Sequence, residues 1–326
     1  MDIEILLALQ NFRVSINDAL TPFMEMISLF AVTYLVIAPA VIYWCVDKKA
    51  GLYSLASYYS CIAVNAVVKL TVCAYRPWIR DERILPAGDA IRTATGYSFP
   101  SGHSSTASPI YGSMAVKAWK KLRWISVLCL ICVLLTGFSR LYLGVHTPQD
   151  VLVGLSLGAI AVFCMDRLFR YLGKHPDKEN MFLIGGIVFG AASILYITLK
   201  PYPMDYVDGK LLVDPVRMMK DGYGDIGAMI AFCIGRLIEK TWVKYEPSAT
   251  KEELAASAAG AVILFFLIAN IGDPLKSLLG IRWGQLAASS IEALFITAAW
   301  SAVLKKVKAG QKEEKSTDRM TDMTDR

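Results

Sequence analysis

Apolar runs of about twenty residues alternate with short charged connectors along most of this sequence, and a run of that length crosses the hydrocarbon core of a bilayer as one helix. In lipid every backbone N–H and C=O must be satisfied within the protein, so only helices and closed barrels span. A barrel would show alternating segments of roughly ten residues, and none occur here. The expected fold is therefore all-α: a polytopic transmembrane helical bundle of about nine spans. These fall near residues 27–46, 53–74, 104–118, 124–141, 149–168, 181–199, 224–240, 255–272 and 284–304. The third is short and holds Pro109; the seventh holds Asp225 and Arg236.

Composition agrees. The chain is 55% hydrophobic and 19% charged, against about 25% charged in an average soluble domain. The net charge of +6 comes largely from basic loops, not from a nucleic-acid-binding surface. Lys48 and Lys49, Lys117 to Arg123, Arg167 to Lys178, Lys240 to Lys251 and Lys305 to Lys308 form five basic groups. With nine spans all five fall on one side, which the positive-inside rule makes cytoplasmic. The amino terminus is then outside and the carboxyl terminus cytoplasmic. Residues 1–20 lack a basic start followed by an apolar stretch and a small-residue cleavage site, so no cleavable signal peptide is read there. The resulting organisation is an interfacial amphipathic segment (1–26), a catalytic membrane core (27–168), additional transmembrane helices (169–304) and a disordered cytoplasmic tail (305–326). The seven cysteines lie nearly all in apolar runs and read as packing residues.

Against this rule, the outer connectors hold Arg76, Arg80, Arg83, Arg92 and, at an edge, Arg140. Arginines on the wrong side of a membrane call for an anion. The same connectors hold His103 and His146, two of the three histidines; His175 lies in a cytoplasmic loop and reads as solvated. Lys69 and Arg76 are about two helical turns apart and can share one face. Arg76 and Arg140 offer forked hydrogen bonding to phosphate oxygens, and Lys69 adds a point charge. Ser101, Gly102 and His103 open a helix, so their N–H groups can face an anion. His146 and Asp150 are four apart; the carboxylate can hold one ring nitrogen and leave the other free to attack phosphorus. His103, protonated, can serve the leaving oxygen. Taken singly, each residue has an ordinary reading as a snorkelling anchor or a helix cap.

Together the segments read K-x6-R-P (Lys69, Arg76, Pro77), P-S-G-H (Pro100 to His103) and S-R-x5-H-x3-D (Ser139, Arg140, His146, Asp150). This resembles the tripartite signature of the type 2 phosphatidic acid phosphatase superfamily, matched at every fixed position over residues 69–150, about a quarter of the chain. The resemblance implies a metal-independent phosphatase without cofactor. It implies His146 as nucleophile through a phosphohistidine, Asp150 polarising it, and His103 protonating the leaving group. Phosphate binding falls to Lys69, Arg76, Ser101, Gly102 and Arg140. The nine-span layout resembles the glucose-6-phosphatase and sphingosine-1-phosphate phosphatase branches. The expected partner is a phosphorylated lipid or small phosphate ester in a cell membrane, with the site facing outside. A phosphotransferase passing the phosphoryl group to a lipid or sugar acceptor is the alternative, and a non-catalytic phosphate or phospholipid transporter is a remote one. The connector 200–223, with Asp205, Asp208, Asp214 and Asp221 beside Tyr202, Tyr206 and Tyr223, reads as a solvated loop or a substrate lid. Arg236 and Glu292, ionisable at membrane depth, read as structural.

Overall fold

The computed structural model describes residues 2–310. Its helices are α1 (Asp2–Ser15), α2 (Thr21–Thr33), α3 (Ile37–Val41, continued by a π-helical turn at Ile42–Val46), α4 (Lys48–Val72), α5 (Pro77–Arg80), α6 (Ala90–Thr93), α7 (Gly102–Ala118), α8 (Arg123–Tyr142), α9 (Pro148–Lys174), α10 (Glu179–Leu199), α11 (Pro215–Ile238), α12 (Lys251–Asn270), α13 (Gly272–Leu279) and α14 (Ile281–Leu294). Between α10 and α11, β1 (Tyr206–Val207) and β2 (Lys210–Leu211) pair antiparallel, Tyr206 opposite Leu211. Asp208 and Gly209 turn this hairpin with positive φ at both residues, the conformation an Asp-Gly turn favours.

Local chemistry sets the helix ends. Asp47 caps α4 by accepting from the Ala50 N–H at 3.0 Å. Thr147 and Asp150 form a reciprocal capping box at α9, with Pro148 in the first turn. Such a cap stabilises a helix by about 1 kcal/mol.

Six helical segments are long and apolar enough to cross a membrane, and α2 with α3 and its π-turn, bent by 45°, makes a seventh. All nine expected positions are helical, but two fall short as spans. α7 has 17 residues, and α11 carries Lys220, Asp221, Asp225 and Arg236. Both are interior helices. Every residue of α7 from His103 to Ile110 is buried, five of them serine, threonine or histidine, because α4, α8 and α9 surround α7. A helix screened from lipid by protein need not be apolar all round. The membrane-facing helices do the opposite: α8 exposes Val127, Leu128, Ile131 and Leu134, and α10 exposes Ile184, Val188, Leu195 and Leu199. These are the surfaces of a multi-pass membrane protein.

The segment after residue 169 is not an appendage. One cluster of buried side chains joins Leu55, Tyr59 and Leu70 of α4 to Ile197 of α10 and to Met219, Tyr223, Ile226 and Phe232 of α11. Residues 305–310, expected to belong to an unstructured tail, extend the last helix instead; the remainder of that tail lies outside the described residues. At the end of the bundle where α4 begins and α9 and α11 end, Glu239 accepts from Lys48 at 2.8 Å and pairs with Arg236. Arg236 also holds Glu179 at 2.8 Å. Arg236 thus has a structural role.

At the opposite end, α9 lies directly on α7. A Cβ on Gly154 would stand 2.7 Å from the Ser101 carbonyl oxygen, and one on Gly158 2.4 Å from the Ser108 Cβ. These two glycines let the start of α9 meet the start of α7. Gly154→Val is expected to wedge the helices apart at an overpacking cost of about 1–3 kcal/mol. The measurement is thermal unfolding in detergent, where the midpoint falls; an unchanged midpoint would contradict this packing.

Candidate active site

The three signature segments meet at the end of the bundle where α4 and α8 finish and α7 and α9 begin. α4 stops at Cys73, whose positive φ of 53° reverses the chain. Arg76 therefore stands beyond the helix, not on its face two turns after Lys69 as its spacing led one to expect. Both side chains nevertheless reach one cavity of about 350 Å³, lined also by Gly102, His103 and His146. Ser101, Arg140 and Asp150 do not line it.

Arg76 ties this region together. Its Nε donates to the Gly96 carbonyl at 3.0 Å, Nη2 to the Thr95 carbonyl at 2.6 Å, and Nη1 to the Val145 carbonyl at 3.0 Å. Nη1 also lies 2.9 Å from His146 Nε2. An arginine can only donate, so Nε2 is the acceptor and the ring proton sits on Nδ1. That nitrogen faces Asp150 Oδ2 at 3.4 Å. The same carboxylate oxygen accepts from Ser98 Oγ at 2.6 Å and the Thr147 N–H at 2.8 Å. Asp150 is thus fixed by three donors and in turn fixes the imidazole tautomer. Ser98 is a partner that sequence reasoning missed; nothing in its spacing marks it, since it reaches Asp150 only through the fold.

His146 is 1% exposed. Burial, then the charges of Arg76, Arg140 and Lys69, hold its pKa well below the ordinary 6.5. Both effects favour the neutral ring.

The remaining cationic groups, Lys69 half-buried and Arg140 fully buried, pair with no carboxylate among the described residues. Lys69 Nζ donates to the carbonyls of Tyr97 at 3.0 Å and Pro100 at 2.6 Å. Arg140 is 0% exposed; Nη1 bonds Ser28 Oγ, while Nε and Nη2 have no partner among the described residues. His103 Nε2 is likewise buried and unpartnered. Ser101 spends its side chain as the cap of α7, accepting from the Ser104 N–H at 3.4 Å, and its own N–H goes to the Asp150 carbonyl at 2.9 Å. A Cβ on Gly102 would meet no atom within 4 Å; the space beside this helix start is open, which leaves room for a ligand against the backbone.

Two of the connector arginines are not part of this site. Arg80 pairs with Asp2 at 3.1 Å and Arg83 with Asp81 at 2.7 Å, on the surface. Arg92 borders the cavity but pairs with Asp89 at 3.2 Å. Of the segment 200–223, residues from Pro215 onward belong to α11: Asp221 of α11 accepts from Thr95 Oγ1, and Asp205 of the connector accepts from Tyr75 Oη.

Known proteins were compared with this chain. Residues 50–174 match the family model described as PAP2 superfamily. The undecaprenyl-diphosphatase BcrC of Bacillus subtilis is 30% identical over 164 residues, which cover 47% of this chain and 79% of that protein. The chain belongs to the PAP2 superfamily. Two other superfamily relatives align over less: phosphatidylglycerophosphatase B of Bacillus subtilis at 33% identity over 110 residues (32% of this chain, 53% of that protein), and an undecaprenyl-diphosphatase of Sulfolobus acidocaldarius at 30% over 112 residues (34% and 52%). The chain spans about half the length of these two relatives. No solved structure matches it.

Unpartnered buried cationic groups are satisfied by a bound anion, which stabilises the folded state by mass action. Orthovanadate or inorganic phosphate is therefore expected to raise the unfolding midpoint of the protein, and Arg140→Ala to weaken that rise. An anion-independent midpoint would contradict the cavity as an anion site.

Proposed function

We propose that this superfamily member is a membrane phosphatase that cleaves a phosphate monoester or diphosphate, of a lipid or small molecule, by way of a phosphohistidine. The observation that carries the reading is the pairing within one cavity of a tautomer-locked His146 and an unpartnered His103 Nε2, ringed by Lys69 and Arg76. The relatives' names, phosphatidylglycerophosphatase and undecaprenyl-diphosphatase, support a phosphorylated lipid.

In the first step His146 Nε2 attacks phosphorus. A P–N bond forms as the ester P–O bond breaks, and the departing oxygen takes a proton from His103; burial and the nearby cations disfavour the charged ring in the free protein, so this proton arrives with the substrate's phosphate, whose negative charge offsets them. The imidazole becomes cationic, and Asp150 stabilises that charge through Nδ1. In the second step water attacks phosphorus, the P–N bond breaks and the water's proton returns to His103. Arg76 Nη1 now rests on the attacking nitrogen and is placed to shift onto a phosphate oxygen when substrate arrives. Lys69 and the open start of α7 at Gly102 spread the charge of the five-coordinate transition state, joined by Arg140 once its unpartnered Nε and Nη2 turn into the cavity that it does not line in the free protein. With the cavity supplying its own positive charge, EDTA is expected to leave turnover intact.

The site's end of the bundle is opposite to the one bearing Lys48, Lys117, Lys174 and Lys240, so the positive-inside rule supports an extracytoplasmic active site with the amino terminus outside. Release of phosphate without any added acceptor separates hydrolysis from phosphoryl transfer.

His146→Ala is expected to abolish phosphate release while leaving a folded protein, and Arg140→Lys to reduce kcat/KM by roughly a hundredfold, because an ammonium cannot fork onto two oxygens. Undiminished release by the alanine variant would overturn the nucleophile. The acid limb supplies a further check. With an ordinary pKa, only roughly 10% of His146 would be unprotonated one pH unit below 6.5; with the pKa held down, the reactive neutral form persists. The limb of kcat/KM due to His146, which reports the free enzyme, is therefore expected below pH 6.5, and a limb above it would contradict the account.

A further inference from the structure

The cavity has a second wall, built by α11 and α14, that the phosphate chemistry does not use. Asp225 of α11 and Gln285 and Ser289 of α14 line it, and Asn65 of α4, one helical turn before Lys69, closes it. Asn65 is 2% exposed and its Nδ2 has no partner. Asp225 makes no hydrogen bond or ion pair among the described residues, although the charge of Lys69 acts on it. Gln285 Nε2 touches Ser289 Oγ at 3.4 Å and leaves its carbonyl oxygen free. Burying the Asn65 amide without a partner costs about 1–3 kcal/mol, which an apolar residue would avoid, and the half-buried Asp225, Gln285 and Ser289 line the same cavity with further polar groups.

We propose that this wall is a leaving-group subsite for a polyhydroxy alcohol, so that the substrate is a phosphate ester of a polyol. The inference rests on the phosphatase reading. Donors and acceptors are mixed here: Asn65 Nδ2 gives, the Asp225 carboxylate takes, and Gln285 and Ser289 do both. A hydroxyl both gives and takes and so satisfies such a set. An ammonium group only gives and leaves the Asn65 amide orphaned. A prenyl chain or a plain alkyl alcohol leaves all of them orphaned. The volume agrees: about 350 Å³ is at the small end for ligand sites, room for a phosphate with a compact head group and not for acyl chains. The polyol can be the head group of a lipid or a free molecule.

The test is phosphate release from the purified full chain in detergent with four probes: sn-glycerol 3-phosphate, phosphatidylglycerophosphate, n-propyl phosphate and a prenyl diphosphate. The expected result is a kcat/KM for a glycerol-bearing probe at least a hundredfold above that for propyl phosphate, since a site built for hydroxyls rejects the analogue without them. Asn65→Leu, Asp225→Asn and Ser289→Ala should each shrink that ratio about tenfold, and the mild serine change keeps the test informative should the leucine variant misfold. The two glycerol probes separate the sources: preference for the lipid makes the polyol a head group, preference for the soluble ester makes it a free molecule, and either upholds the subsite. Equal rates on glycerol and propyl esters, a preference for prenyl diphosphate, or variants that lower all probes alike would overturn the subsite while leaving the phosphatase intact. Release from none of the four would overturn both.

Discussion

Two buried arginines and a half-buried lysine at one end of a helical bundle, with no carboxylate paired to any of them among the described residues, set the terms for everything else in this structure. Desolvating a guanidinium or ammonium costs several kcal/mol, more than the helix caps nearby return at about 1 kcal/mol each. The protein offsets part of that cost with backbone carbonyls. Arg76 takes three and Lys69 takes two. Each of these bonds also pins a connector, so the same charges double as the ties holding residues 95–100 against residues 145–146. Arg140 is offset least, with two nitrogens unpartnered. Asp150, a well-bonded carboxylate nearby, is turned to His146 and not to any of the three.

That economy explains the arrangement of helices. α7 is too short and too polar to face lipid, and α11 too charged, so both lie inside a shell of apolar helices. The interior positions bring the start of α7 beneath the start of α9 through Gly154 and Gly158, and bring α11 across the cavity from α4. The helices after residue 169 therefore complete the site: they supply one whole wall of the cavity and share the buried cluster that anchors Lys69's helix.

Much of this was legible in the sequence, and the exceptions have physical causes. Helix positions followed from apolar run length, because lipid imposes that length. The signature residues could be named because forked donors, a helix start and a histidine–aspartate pair at four-residue spacing have few joint uses. Arg76 was misplaced on the helix face because a left-handed residue at Cys73, which a cysteine rarely adopts, ends α4 early. Arg80 and Arg83, counted among the outer arginines whose placement called for an anion, are paired instead with Asp2 and Asp81, partners that show only once α1 and the connector are folded. Ser98, Asn65 and the polar wall of α11 and α14 were invisible for the same reason: each is defined by what it faces across the bundle, and no local pattern records that.

The account turns on His146 offering Nε2 to phosphorus while Asp150 holds Nδ1. The most direct measurement is to quench turnover into alkali, where phosphohistidine survives, and to locate the phosphoryl group by mass spectrometry and its ring position by 31P NMR. The account predicts a transient phosphoryl group on Nε2 of His146. A phosphoryl group on Nδ1, on His103 or on any other residue during turnover would contradict it.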